Sequence, residues 1–241
     1  MRKIILLLVL VFAPTKVFGQ DNLNPAEFIM RAVVQKAVEN EKLKKAKLEY
    51  KRVYKIENLN SQEESTGLSK NEVILISNGA EKLIEQNGRP VRGGTGSGSA
   101  PSINFDNALA EFYDYSLSEP SLVMMQGRAY HVINFKPKKQ KRTNSDIEEI
   151  LARLSGTVYI DAEKLYIKRL NAKLTENYKR GWFIYKLGRA DIELEQKEFE
   201  NLFVVDTFKV VDKYYIFGVE TFEKQVMTYI DYALVSHPES K

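Results

Sequence analysis

From Leu48 onward the chain alternates. Leu48, Tyr50, Arg52, Tyr54 and Ile56 fall on one side of an extended segment, and Glu49, Lys51, Val53 and Lys55 on the other. That two-residue period is the mark of a half-buried strand. The same reading predicts strands over Glu72–Ser77, Glu81–Glu85, Tyr115–Met125 (broken at Pro120), Ala129–Phe135 and Thr157–Ile160. It continues through Lys164–Leu174, Gly181–Leu187, Ala190–Leu194, Phe203–Val211, Lys213–Val219 and Phe222–Tyr232. Asn78-Gly79 and Asn87-Gly88 are hairpin turns, because both central residues of a tight turn need positive φ. Gly188 reads as a further turn. Strands that follow one another so closely predict one large antiparallel, twisted sheet with its strands in sequence order.

Three stretches depart from the alternation. Asn24 caps a helix, Pro25 takes its first position and Glu27 completes a capping box. Phe28, Ile29, Ala32, Val33, Val34, Ala37 and Val38 form its apolar stripe, and the charged run Lys42–Lys47 marks its end. A second helix is expected over Asn104–Tyr115, with Phe105, Leu109 and Phe112 on one side. A third begins at Ser145, capped with Glu148, and presents Ile147, Ile150, Leu151 and Leu154 before Gly156 ends it. Between the first two lies Gly88–Ser102, rich in Gly and Ser. It lacks the Gly-Lys-Ser/Thr of a phosphate loop and the spacing of a dinucleotide fingerprint. It reads as a flexible loop, and as a candidate lid.

Composition sharpens this picture at the N-terminus. Arg2 and Lys3 precede the apolar run Ile4–Ala13, which Pro14 breaks before the small-residue site Val17-Phe18-Gly19. This is a secretory signal, residues 1–20, with cleavage after Gly19 or Gln20. Residues 21–241 are then expected to form a single exported domain. The chain has no Cys, so thiol catalysis, Cys-based metal sites and a disulfide framework are excluded. An exported chain without disulfides fits a bacterial periplasm. The formal charge of +4 falls to about +1 once Arg2, Lys3 and Lys16 leave with the signal. Global charge gives no reason to expect nucleic acid.

Candidate chemistry is sparse. His131 and His237 are the two histidines, and neither has metal-ligand spacing. No Gly-x-Ser-x-Gly elbow and no calcium loop occurs. Glu63-Glu64 and Glu148-Glu149 fall in a polar loop and on a capped helix, where solvated charge is the simplest reading. Arg128 and Asp161 flank the central stretch, either as a buried pair or as turn residues. The most distinctive charged feature is the basic loop of Lys136, Lys138, Lys139, Lys141 and Arg142. It is either a solvated hairpin tip or a contact for anionic head groups or an acidic partner.

One stretch carries a resemblance. The run Gly127–Lys138 (GRAYHVINFKPK), a short helix, Gly156–Asp161 (GTVYID) and then Arg169-Leu170 follow an exported helix and an antiparallel meander. This resembles the outer-membrane lipoprotein-sorting protein family, over roughly Ala26–Tyr232. The resemblance implies an α+β fold: a strongly curved antiparallel sheet, or incomplete β-barrel, with two or three helices covering its concave face. It also implies a non-enzymatic carrier without cofactors, whose apolar cavity buries lipid or lipoprotein acyl chains. Ile133, Phe135, Leu170, Phe183, Tyr185, Phe208 and Phe217 are the candidate lining residues. Strand parity decides them, and a one-residue slip flips any strand. Expected partners are acyl chains and a membrane-associated donor or acceptor protein, with the chain itself a monomer. Two other readings stand beside the carrier: a periplasmic sensor or protein-interaction module on the same fold, and a hydrolase built on clustered carboxylates.

Overall fold

The structure is a computed structural model, and it describes residues 24–95, 112–138, 145–181 and 184–235. The expected signal segment, most of the helix expected from Asn104 and the distal part of the basic loop lie outside these residues.

Helix α1 spans Pro25–Lys47. The strands follow as β1 (Leu48–Leu59), β2 (Ser65–Ser77), β3 (Ala80–Gln86), β4 (Arg89–Thr95), β5 (Tyr113–Met125) and β6 (Arg128–Pro137). After helix α2 (Asp146–Leu151) come β7 (Leu154–Asp161), β8 (Ile167–Leu174), β9 (Tyr178–Arg180), β10 (Tyr185–Phe199), β11 (Leu202–Ile216) and β12 (Val219–Leu234). Among the described residues these twelve strands form one antiparallel sheet. Its order is β4-β3-β2-β1-β12-β11-β10-β8-β7-β6-β5, with β9 paired to β10 beside β8. The first strand therefore pairs with the last, through registers such as Tyr54↔Met227 and Asn58↔Glu223. A strict sequence order does not allow this pairing. Among the described residues the edges without a second partner strand are β4 and β5, which are consecutive strands in the chain.

The sheet is strongly curved and not closed. One buried cluster takes in Tyr54 of β1, Tyr113 and Tyr115 of β5, Ile133 and Phe135 of β6, and Val158 and Ile160 of β7. It continues with Leu170 of β8, Ile192 of β10, Phe208 of β11 and Met227 of β12. Strands this far apart share one cluster only if their common face is concave. The opposite face carries cross-strand charge pairs. Arg169 opposes Glu195, Glu193 opposes Lys209 and Glu57 opposes Lys224, and each of the three forms an ion pair. Such exposed pairs are worth roughly 0–1 kcal/mol each.

Several expected boundaries shift for physical reasons. Phe203–Val211 and residues 213–216 are one strand, because Asp212 stays in register opposite Ala190 and Glu223, and Val219 already belongs to the next strand. Gly188 is a bulge, where β10 skips between Leu187 and Arg189, and it does not turn the chain. The real turn lies earlier, between β9 and Tyr185. Arg89–Thr95, expected as part of the flexible loop, is the edge strand β4. Tyr113–Tyr115, expected to end a helix, is strand. Gly156 lies inside β7 and does not end α2. A Cβ there would sit 1.9 Å from the Asn171 carbonyl oxygen of β8. The chain needs no side chain at that point so that the two strands can meet.

Gly156→Ala is expected to destabilise the fold by about 3 kcal/mol or more, because the obstacle is backbone and cannot rotate away. Urea denaturation checks this, and an unchanged midpoint would show that β7 and β8 are not packed this closely.

Candidate functional site

The concave face is the one large internal surface of the sheet, and α1 lies across it. Asn24 begins the helix with its side chain: Oδ1 accepts from the Glu27 N–H at 2.9 Å, and Nδ2 donates to the Tyr115 carbonyl of β5 at 3.0 Å. Near the other end, Asn40 makes a two-way contact with the Phe203 backbone of β11. Its Nδ2 donates to the Phe203 oxygen at 2.7 Å, and its Oδ1 accepts from the Phe203 N–H at 2.9 Å. Between these anchors the helix is lightly held. Of its 23 residues only Ala26, Met30 and Val33 are buried. The sequence stripe was read too broadly: Phe28 is 69% exposed and Val38 also faces solvent. Helix α2 covers a smaller patch. Its Ile150 packs on Tyr178, Leu187 and Ala190, with Tyr185 and Tyr214 alongside. The Tyr113 hydroxyl donates to the Leu151 carbonyl and ties α2 to β5.

Of the candidate lining residues, Ile133, Phe135, Leu170 and Phe208 all meet in the main concave-face cluster with α1. Tyr185 lies on the same face under α2. Phe183 lies outside the described residues. Phe217 does not face inward. It occupies the turn between β11 and β12 at φ 50° and is 74% exposed. The parity argument assumed a strand there, and the turn breaks it. In the basic loop, Lys136 is exposed at the end of β6, and Lys138 reaches 4.0 Å from Glu27 of α1. Lys139, Lys141 and Arg142 lie outside the described residues. Arg128 and Asp161 turn out to be both a pair and a turn. They approach at 3.7 Å, while Asp161 Oδ1 accepts from the Glu163 and Lys164 N–H groups.

Two features of this face were not foreseen. The first is an apolar strip on the free edge. Leu117, Leu122 and Met124 of β5 pair with Ile133, His131 and Ala129, so they share the inner face. They are nevertheless 38%, 48% and 67% exposed. The second is a polar band. Asp212 and Glu223 oppose each other across β11 and β12, and Gln225 bridges them: its Nε2 lies 2.8 Å from Glu223 Oε1 and 3.4 Å from Asp212 Oδ1. The Tyr54 hydroxyl donates to Gln225 Oε1 at 2.8 Å. Burial, helped by the Glu223 charge, pushes the Asp212 carboxyl up to about 7. Burial also raises Glu223. Beyond Tyr54, buried Arg52 holds Glu81 in a two-bonded pair at 3.1 and 2.7 Å. The only sequence trace of the band is Asp212, the acidic interruption of an apolar run, and its partner appears only once the register is known. Among the described residues no group of three or more His, Asp or Glu side chains is placed to hold a metal ion.

No family model matches this chain, and no curated protein does. Solved structures do. A Vibrio parahaemolyticus domain, assigned only provisionally as an outer membrane lipoprotein-sorting protein, is 12% identical. The alignment covers 88% of this chain and 95% of that one, with a TM-score of 0.40. The chain resembles a lipoprotein-sorting domain. Pseudomonas aeruginosa MucB, in its complex with MucA, is 12% identical, with 82% of this chain and 94% of that one covered and a TM-score of 0.25. A second MucB structure, in complex with MucA(peri), is 11% identical over 83% and 93%, with a TM-score of 0.27. At such identities and scores the likeness concerns the fold, and no activity is drawn from it. Among the described residues no helix is long and apolar enough to cross a membrane.

The Asp212 carboxyl gives a testable pH dependence. Its folded value of about 7 stands above the ordinary 3.8. The folded state therefore holds the proton more tightly than the unfolded chain. Stability from this group is fully present below pH 4 and is lost as pH rises through 7. Asp212→Asn is expected to flatten that part of the stability curve and to gain on the order of 2–4 kcal/mol at pH 8. Chemical denaturation from pH 4 to 8 measures it. Parallel curves for the two proteins would place Asp212 in contact with water.

Proposed function

We propose that this chain is an exported, non-enzymatic binding protein of the periplasm. It buries lipid or lipoprotein acyl chains between the concave sheet face and α1, in outer-membrane lipid or lipoprotein traffic. The observation that carries this reading is the strip Leu117, Leu122 and Met124. These are apolar side chains on the inner face, paired with residues of β6 and exposed along the edge of β5. An acyl chain laid along them removes apolar surface from water at about 0.8 kcal/mol per CH₂, so ten methylenes supply useful affinity without any polar contact. Helix α1 fits the part of a lid, since only three of its side chains are buried. Exchanging Ala26, Met30 and Val33 for an acyl chain costs the sheet little net apolar contact.

The second reading, a sensor or protein-interaction module, rests on the same helix. Ala26, Met30 and Val33 already fill part of the groove. If they stay there, the face is a packed core and any ligand is a protein bound elsewhere.

Lipid extraction and mass spectrometry of protein purified gently from the periplasm separate the two. A sample refolded from denaturant serves as the lipid-free control. The carrier reading expects stoichiometric acyl lipid or acylated peptide, displaced by a fluorescent fatty acid. Protein that carries no lipid and takes up no probe leaves the interaction module. Leu122→Glu with Met124→Glu is expected to weaken probe uptake at least tenfold with little change in melting temperature, since both sites are open to solvent. Full uptake by this variant would move the binding surface away from the β5 edge. Asn40→Ala removes both bonds to Phe203 and is expected to cost about 1–3 kcal/mol. It should also speed probe exchange in stopped-flow, and an unchanged exchange rate would show that α1 does not gate the face.

A further inference from the structure

Four hairpin turns among the described residues share one backbone, a residue at φ near 50° followed by glycine, and one of the four departs in residue type. Asn78-Gly79, Asn87-Gly88 and Gln126-Gly127 each put a polar residue at φ near 50°, followed by glycine at φ near 76°. A bulky residue is disfavoured at that first position, and Asn is the common choice. The turn between β11 and β12 has the same backbone, with Phe217 at φ 50° and Gly218 at φ 81°. Here a phenylalanine takes the left-handed position and is 74% exposed. It is costly there on both counts, in backbone conformation and in contact with water.

Phe217 is not alone. Ile216 and Val219 flank the turn, 45% and 70% exposed, and Ile184 is 53% exposed. The Phe217 N–H donates to the Ile184 carbonyl at 3.1 Å, so the β9–β10 and β11–β12 turns lie side by side. The β11–β12 turn projects beyond β1. The pairing of β12 with β1 ends at Glu223, and residues 219–222 pair with β11 alone. On the other side, residues 185–187 of β10 pair with the three-residue strand β9 and not with β8. The overhang of four β12 residues is about 13 Å at 3.3 Å per residue. Tyr185, Tyr214 and Tyr215 stand at its base, with the Lys186 ammonium 5.0 Å above the Tyr215 ring. Lys179, Arg180, Lys186 and Lys213 surround it. Two of these cations are ion-paired, Lys213 with Glu220 and Arg180 with Asp146 of α2, and Glu223 and Asp212 lie near Tyr214 and Tyr185 at the base.

We propose that this tongue docks on an anionic lipid surface. Phe217, Val219, Ile216 and Ile184 enter the boundary between head groups and acyl chains, and the surrounding cations meet the anionic head groups. A protruding apolar tip with tyrosines behind it and an excess of positive charge around it matches a bilayer surface, which is flat, anionic and apolar beneath. A protein groove would instead ask for a shaped face. The strip on β5 lies at the free edge of the sheet, so surface docking and acyl burial use different residues.

The sole tryptophan of the chain, Trp182, lies between Arg180 and Tyr185 in the sequence, and it serves as the reporter. The full exported chain is mixed with vesicles of phosphatidylcholine alone, or with one-third phosphatidylglycerol. Tryptophan emission and co-sedimentation are followed. Wild-type protein is expected to sediment with the anionic vesicles and to shift its emission to the blue. High salt should weaken this binding, and neutral vesicles should bind less. Phe217→Asn places there the residue that the β2–β3 and β3–β4 hairpins use, so its melting temperature should hold or rise. Its partitioning should fall at least about tenfold. Lys179→Gln with Lys186→Gln should lose roughly fivefold per lysine on anionic vesicles alone. Fatty-acid uptake, measured in parallel, should be unchanged in all these variants, which keeps this test separate from that of acyl burial. Wild-type protein that ignores anionic vesicles overturns the proposal. So does a Phe217→Asn protein that binds as well as wild type, or equal binding to neutral vesicles. Self-association that depends on Phe217, without vesicle binding, would assign the tip to protein contact instead.

Discussion

The pairing of β1 with β12 joins residues 48–58 to residues 223–234, and the unity of the sheet depends on it. Two runs of hairpins, β2–β4 and β5–β12, would otherwise be separate sheets with separate, thin apolar faces. Joined through β1, they make one sheet whose inner side chains meet in a single cluster. The same pairing decides where the sheet stays open. Because β1 is enclosed between β2 and β12, the free edges fall on β4 and β5, and the opening carries Leu117, Leu122 and Met124. It also places α1. The helix runs directly into Leu48, so its C-terminal end is held near β1 while Asn24 reaches across to β5.

The concave face is not uniform, and the difference follows from its two coverings. Where α1 and the β5–β8 strands meet, the inner positions are mostly Ile, Leu, Val and Phe, with Tyr113 and Tyr115 of β5 among them. Toward β12 and β1 the inner positions become Asp212, Glu223, Gln225 and Tyr54. Two carboxyl groups directly opposed across a strand pair repel when both are charged. Gln225 satisfies both through its single amide nitrogen, and Asp212 keeps its proton to near neutrality. Polar groups buried in this way are tolerated only because each finds a partner.

Much of the candidate site was legible in the alternation itself. Ile133, Phe135, Leu170 and Phe208 were assigned inward by two-residue periodicity, and they share the buried cluster because β6, β8 and β11 are regular where those residues lie. The failures come where the period is interrupted. Phe217 was assigned as if its strand continued, but the turn at Phe217-Gly218 resets the count. Gly188 was read as a turn, yet a bulge shifts parity by one residue while the strand goes on. The β5 strip went unseen because exposure at an edge depends on which strand has no neighbour, and that is a property of the whole sheet.

The sequence by itself determined the local elements. Asn24, Pro25 and Glu27 start α1, Ser145 and Glu148 start α2, and each Asn-Gly pair is a turn, because caps and turns are satisfied by groups a few residues apart. It also determined the chemical class of the molecule, apolar faces without thiols or histidine clusters, because composition needs no coordinates. Only the tertiary structure decided that the first strand meets the last, that Asp212 opposes Glu223, and that β5 is an edge. Those facts join residues more than a hundred positions apart or depend on register. Alternation fixes which face a side chain takes, but it leaves open which strand lies next to it.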